Sequence, residues 1–509
     1  MKRFCLEVTL PIVYNNIIKE RMCFYIMKKT YCNPLCVEKV SSGRWLDTGI
    51  SGLNARDYKD YRSISDPSVI YHEGKWIMYA SYSVAHVTED FVHWDKVDIG
   101  VENLRYSPAV VQFRGKWYLS GHSMPEMYVA DSPLGPFKHC GNLTDMHGNE
   151  MKVPDGCYFT ENDRLYFYWC EIREPKEGED VECVTGTVGA ECDPNEPWKL
   201  ISEPVWINTF SPDKEWERHG EYNQNERIGW TEGQWMIKIG SRYYLLYSGS
   251  GTQYSSYACG ILYSDEGPLS GFKRQEKHDP LTLKRNGILR GAGHGSIAEG
   301  PDNTYWVFYT YFFGFNYRFE RRVGMDPLGI DENGELYCPN LTETPQFAPG
   351  VVKNPECGND AGLLPLTFYQ PVKASSCAPG REPIYATDSS AISWWQPAED
   401  DKERWIEIDL GAEKGYNISS CRIMWRDIGM ETLDGIMPGA FQYVVEYTEP
   451  DSDEWKMLID ASKNEKDYCV DYRTFETVTA RHIRLTVLGA PEGITPGVIS
   501  LTVFGKCAH

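Results

Sequence analysis

No stretch of this 509-residue sequence approaches the ~18 to 20 consecutive apolar residues that a membrane span requires. The N-terminal MKRFCLEVTLPIVYNNIIKERMCFYIMKKTYCNPL is basic and partly apolar, but Glu7 and the polar stretch from Asn15 to Arg21 break up the apolar core of a secretory signal. The expected location is therefore the cytoplasm, with secretion left open. Basic residues are few, 51 against 73 acidic, and the net charge of −22 repels phosphate backbones and anionic headgroups. That argues against nucleic acid and membrane partners and suits neutral carbohydrate. The 16 cysteines include no Cys-x-x-Cys pair and no zinc-site spacing, so they read as free thiols in a reducing compartment. A Gly-x-Ser-x-Gly elbow, a Walker loop and a dinucleotide fingerprint are all missing, which removes sequence support for acyl, phosphoryl and hydride transfer.

Aromatic residues, by contrast, are abundant: 13% of the chain, with 16 Trp and 33 Tyr. Planar rings suit all-β packing and also stack on sugar faces. The length predicts two large folded units. In the first, one pattern returns five times: DPSVIYHEGKWIMYAS from Asp66, SPAVVQFRGKWYLSGH from Ser107, PDGCYFTENDRLYFYWC from Pro154, TEGQWMIKIGSRYYLLYSGS from Thr231 and GHGSIAEGPDNTYWVFYT from Gly293. Each copy is two β-branched or aromatic runs around a tight polar turn, a hairpin signal. The near-duplicates VADSPLGPFK and YSDEGPLSGFKR add an outer strand and turn. About four strands per unit, almost without helical periodicity, predict an all-β, five-bladed β-propeller.

The first strand of each blade lines the central channel, so the residues opening the copies, Asp66, Ser107, Asp155, Glu232 and His294, are expected to share one pocket. An Asp before Pro or Gly at a strand start is, singly, only a turn former. Three carboxylates at equivalent positions of separate blades carry repeated desolvation costs, which points to chemistry. Glycosidic hydrolysis needs one carboxylic acid to protonate the leaving oxygen and one carboxylate to activate water or attack the sugar, while a third can hold the acid's pKa up.

The pieces DPSVIYHEGKW, the Asp of PDGCYF, EGQWMIKIGSRYYLLYSG and GHGS resemble glycoside hydrolase family 43, over about Tyr31 to Tyr311. The resemblance implies a five-bladed propeller that inverts the anomeric carbon, with Asp66 as general base, Asp155 as pKa modulator and Glu232 as general acid. It implies an exo-acting enzyme removing α-L-arabinofuranosyl or β-D-xylosyl units, with β-galactofuranosyl as a third option, from plant-type oligosaccharides. Ser107, Trp230, Trp235 and His294 are expected to bind substrate. No cofactor is required, though His294 could hold a structural Ca²⁺ through waters. The alternative is a non-catalytic, lectin-like propeller in which the same carboxylates only hydrogen-bond a sugar.

Residues 171–230, with Trp206, Trp216, His219, Glu221 and Trp230, read either as a wall shaping sugar subsites or as a solvated insertion. Arg321 and Arg322 follow the last copy, where one of them is read either as pairing with pocket carboxylates or, preferably, with the acidic surface. The expected organisation is an N-terminal extension over residues 1–30, the propeller over 31–312, a connector packing on it over 313–365, and a second domain over 366–509. In that domain ERWIEIDLG, FQYVVEYTEPDSDEWKML, ARHIRLTV and ISLTVFG alternate as strands of a sandwich and resemble a discoidin, or coagulation-factor type C, jelly roll, often a carbohydrate-binding module. Trp394-Trp395 is read either as its sugar platform or, preferably, as packing beneath its sheet.

Overall fold

A computed structural model describes residues 29–38, 64–81, 83–102, 104–312, 321–411, 413–426, 439–491 and 494–508. The expected N-terminal extension lies outside the described residues except for Lys29 and Thr30, as does most of the aromatic stretch 311–319. Five antiparallel sheets follow in chain order, each with four strands in up-and-down sequence and the fourth with one extra short strand. Their innermost strands are Ser68–His72, Ala109–Phe113, Cys157–Glu161, Thr231–Ile239 and Arg290–Glu299. The first two hairpins turn at Glu73-Gly74 and Arg114-Gly115, and all four residues have positive φ. That turn geometry matches the right-handed twist of the flanking strands.

Strand alternation explains why the second strand of each blade reads as one long apolar run: both of its faces are covered. In the first blade Ile77 and Tyr79 pack on Val110 and Leu119 of the second, while Trp76 and Met78 face Trp306 and Phe308 of the fifth. In the third blade Leu165 and Phe167 pack on Phe113 of the second, and Tyr166 and Tyr168 on Met236 and Leu245 of the fourth. Leu246 then meets Ile297 and Val307 of the fifth. Five such interfaces close the ring. The segment Lys29 to Glu38 seals the closure, with Tyr31, Leu35 and Val37 in the core between fifth and first blades. The Asn33 side chain brackets Met325, donating to its carbonyl at 2.9 Å and accepting from its amide at 3.0 Å.

The fifth blade extends beyond the expected boundary. Its third and fourth strands are Arg321–Ile330 and Leu336–Tyr337, so residues 321–337 belong to the propeller and not to a connector. The sequence repeat stops at Tyr311 because these strands lack the aromatic signature of a second strand, not because the sheet ends.

Asp326 on that third strand is fully buried and accepts hydrogen bonds from Tyr309, from Asn33 and from the Thr342 amide and hydroxyl. Burial outweighs these bonds and pushes its carboxyl up to about 7. The folded value exceeds the unfolded one, so the unfolded chain loses its proton first. Stability is expected to fall as pH rises through the window from about 4 to about 7, by at most ~1.4 kcal/mol per pH unit from this group. Asp326→Asn should flatten that slope in urea-unfolding curves taken across the window; an unchanged slope would refute the assignment.

The second domain is a two-sheet sandwich. One sheet orders Leu364–Pro365, Gly497–Cys507, Tyr416–Arg426 and Val470–Ala480; the other orders Val372–Ala374, Trp405–Asp409, His482–Gly489, Gln442–Thr448 and Lys456–Ala461. It is docked on the propeller. Trp394, Met424, Val470 and Ile499 join the core of the fourth and fifth blades. Arg422 donates to the carbonyls of Asn33 and Glu343, and Arg322 Nη2 lies 2.7 Å from Cys469 Sγ. Trp395 is wholly buried with its indole N–H on the Ser376 carbonyl, and Trp394 lies between Arg381 and Arg426 against the propeller. This pair is packing and offers no exposed sugar platform. All fourteen described cysteines are free. No helix among the described residues is long and apolar enough to cross a membrane.

Candidate active site

Four of the five blades begin with the same backbone device. Asp66, Ser107, Asp155 and His294 take φ values of 52°, 46°, 54° and 42°, a left-handed conformation that non-glycine residues rarely hold. In the fourth blade the equivalent position is Gly233, φ 63°, and Glu232 precedes it. Glycine is required there twice over, because a Cβ would also stand 2.8 Å from the His294 ring. Hydroxyl groups of the adjoining blade pin these starts: the Asp66 amide donates to Thr310 Oγ1 and the His294 amide to Ser248 Oγ, both at 2.8 Å.

The result is a hub pocket of about 300 Å³, at the small end of ligand sites, to which Asp66, Asp155, Glu232, His294 and Trp230 all contribute. Asp66 is almost completely buried and is gripped by Arg321, Nη1 on Oδ1 at 2.9 Å and Nη2 on Oδ2 at 3.1 Å. Ser65 and Ser81 also donate to Oδ2. Oδ1 is thus the less saturated oxygen, and it faces His294 Nδ1 at 3.5 Å. Asp155 accepts from His122 Nδ1 at 2.8 Å and lies 3.9 Å from His294 Nδ1. Its backbone carbonyl takes a hydrogen bond from the Gln234 side chain of the fourth blade.

Electrostatics set two of these carboxyls apart. Burial alone would raise Asp155, but the His294 charge and the His122 hydrogen bond outweigh it and hold the carboxyl well below the usual range. Glu232 moves the other way: burial, then the negative charge of Asp155, raises it, and hydrogen bonds from Trp230 Nε1 at 2.6 Å and the Tyr257 hydroxyl at 2.7 Å only partly offset this. Divergent carboxyl environments in one pocket are the pattern of acid and base pairs. His122 is raised: burial lowers it, but the Asp155 hydrogen bond and charge prevail.

Ser107 sits beneath the pocket with its hydroxyl 3.0 Å from His294 Nε2, supporting the ring and not lining the cavity. Trp235 departs from expectation. With Gly233 occupying the left-handed position, Trp235 falls in the strand body at the place of Ser68 and Ser296, and its indole N–H reaches the Ile297 carbonyl between fourth and fifth blades. Arg321 takes the less favoured of its two readings, entering the hub to pair with Asp66 instead of the acidic surface. Asp155, Glu232 and His294 offer donor atoms within 4.8 Å of one another. Two carboxylates and an imidazole fall short of the six to eight oxygens calcium takes, and both His294 nitrogens already face protein groups, so direct calcium ligation is a poor fit.

Sequence reasoning missed His122, Tyr106, Tyr257 and the Gly251 to Gln253 turn. His122 ends the second copy of the repeat, a position where the other copies carry Ser, Cys or Thr, and that was the available signal. The segment 171–230 divides: Val184–Cys192 and Val205–Trp206 complete the third blade, Trp216 is buried against the fourth with its indole on Asp279, and His219 and Trp230 reach the pocket wall. A second cavity, about 330 Å³ at the seam with the sandwich, is lined by no carboxylate or histidine.

Residues 51–336 match the family model described as Glycosyl hydrolases family 43, and residues 371–498 match that of the F5/8 type C domain. No curated protein matches the sequence. Among solved structures, one titled glycoside hydrolase is similar over 88% of this chain and 99% of its own, at 19% identity and TM-score 0.50. An α-L-arabinofuranosidase from Lactobacillus brevis matches over 56% of this chain and 97% of its own, at 19% identity and TM-score 0.43. A xylan β-1,4-xylosidase from Bacillus halodurans C-125 covers 88% and 99%, at 15% identity and TM-score 0.45. The first of these likenesses supports the fold, and the family model extends over more than half of the sequence. On that match the chain belongs to glycosyl hydrolase family 43.

Proposed function

We propose that this glycoside hydrolase removes single terminal or side-branch sugars, α-L-arabinofuranosyl or β-D-xylosyl units first and β-galactofuranosyl units third, by a one-step inverting displacement. The observation that carries the reading is the convergence of Asp66, Asp155 and Glu232 on one hub pocket, where burial and the Asp155 charge push the Glu232 carboxyl up while His294 and His122 hold Asp155 down. Glu232, raised by burial and by Asp155, stays protonated and gives its proton to the leaving oxygen. Asp66 Oδ1, which Arg321 bonds but the Ser65 and Ser81 hydroxyls leave to the pocket, takes the proton of the attacking water. Asp155, kept anionic by His294 and His122, supplies the negative charge that holds the acid's pKa up, and it does so from a rigid strand start. A pocket of about 300 Å³ suits one sugar and not a run of them, which favours a chain end or branch.

The test is turnover of the 4-nitrophenyl glycosides of the three sugars, with the anomer first formed followed by ¹H NMR. The expected result is cleavage of at least one with inversion. Retention would remove the single-displacement mechanism, and sugar binding without turnover would replace the enzyme with a lectin-like propeller.

A further inference from the structure

The two hydrogen bonds on Glu232 are chemically unequal. Trp230 donates to Oε2 at 2.6 Å through an indole N–H, which has no lone pair and can only donate. Oε2 is therefore an acceptor whether Glu232 is charged or neutral. The partner of Oε1, at 2.7 Å, is the hydroxyl of Tyr257, which can donate or accept by rotating about its C–O bond. Resting on the assignment of Glu232 as general acid, we infer that its proton sits on Oε1, and that Tyr257 is the positioning residue that holds it there and steadies the carboxylate once it has left.

Tyr257 has no surface exposure and does not line the pocket, so it acts through Glu232 and not on the sugar. Its ring lies against the backbone at Gly293, where a Cβ would come within 2.2 Å of it. The first glycine of the GHGS motif thus makes room for this ring. Burial and the Glu232 charge drive the phenol well above its ordinary range, so it stays neutral and takes no proton-transfer role of its own. The other groups facing Glu232 are Asp155 and His294 across the hub, with His122, Asp66 and Arg321 beyond them, and the neutral Cys170 thiol, whose Sγ is 3.0 Å from the Thr231 carbonyl. None of these makes a hydrogen bond to either Glu232 oxygen among the described residues.

In the displacement, the water oxygen bonds to the anomeric carbon while its proton passes to Asp66. The C–O bond breaks with its electron pair going to the leaving oxygen, and that oxygen takes the proton from Oε1. The Tyr257 hydroxyl then turns to donate to Oε1 as Trp230 already donates to Oε2. The carboxylate thus meets two donors as its charge develops, a stabilisation of the transition state that the ground state does not enjoy in full.

The experiment compares Tyr257→Phe, Trp230→Phe and Glu232→Gln by pH profile on aryl glycosides of good and poor leaving groups. Phe at 257 keeps the ring that packs on Gly293. Removing its hydroxyl takes a donor from the carboxylate, making Glu232 a weaker acid. The basic limb of kcat/KM is expected to move up by about one pH unit, and kcat on poor leaving groups to fall about 10- to 100-fold, with little change on good ones. Trp230→Phe should move the limb in the same direction. If Glu232→Gln is crippled while both aromatic variants keep the original limb, or lose activity equally on all leaving groups, the proton placement is overturned. If Glu232→Gln retains its full rate on poor leaving groups, the acid assignment itself falls.

Discussion

Asp66→Asn is expected to lower turnover about 10²- to 10⁴-fold, by the same factor for good and poor leaving groups. Water must be deprotonated whichever bond is broken, so a better leaving group cannot compensate for a missing base. The amide keeps one acceptor oxygen for Arg321, yet the guanidinium, only a few per cent exposed, loses its bidentate partner. A drop in thermal midpoint should therefore accompany the kinetic loss. Measuring both on one preparation separates the effects: a variant that stays folded at the assay temperature and is still inactive has lost a base and not its fold. Full activity in folded Asp66→Asn would remove Asp66 from the mechanism.

Glu232→Gln should show the complementary pattern. On sugars whose leaving group is a poor one, the loss is expected to be about 10²- to 10⁴-fold, shrinking towards wild type as the leaving group's own acidity makes protonation unnecessary. The basic limb of the pH profile should disappear with it, because the group whose deprotonation causes that limb is gone. The amide can still accept from Trp230 Nε1, so the pocket wall should stay in place. A uniform loss across leaving groups would mean that Glu232 binds or orients and does not donate a proton.

The five copies of a hairpin pattern were enough to read the propeller and its hub, because each second strand is covered on both faces and must repeat the same apolar run. What escaped was whatever the repeat does not encode. Arg321 reads more readily as surface charge than as a partner of the pocket carboxylates, since nothing in a strand of mixed composition announces that its first side chain turns inward to meet a residue 255 positions earlier. Trp235 reads as a substrate-binding residue because copies matched on their carboxylates hide a one-residue offset. Only the shared left-handed backbone shows that Gly233, and not Glu232, corresponds to Asp66. His122 and Tyr257 carry no motif at all. Their roles come from distances to Asp155 and Glu232, which no pattern along the chain contains.

Arg321 and Arg322 are consecutive, and their side chains leave the strand in opposite directions, one to grip Asp66 and the other to Cys469 in the sandwich. The sandwich therefore holds the residue next to the one that grips Asp66, one peptide bond removed. A propeller prepared without it would bare Arg322 together with the apolar flank of the fourth and fifth blades, so a lower thermal midpoint should accompany the loss of activity. Protein engineers who treat the sandwich as an interchangeable tag would be editing the reaction centre from behind.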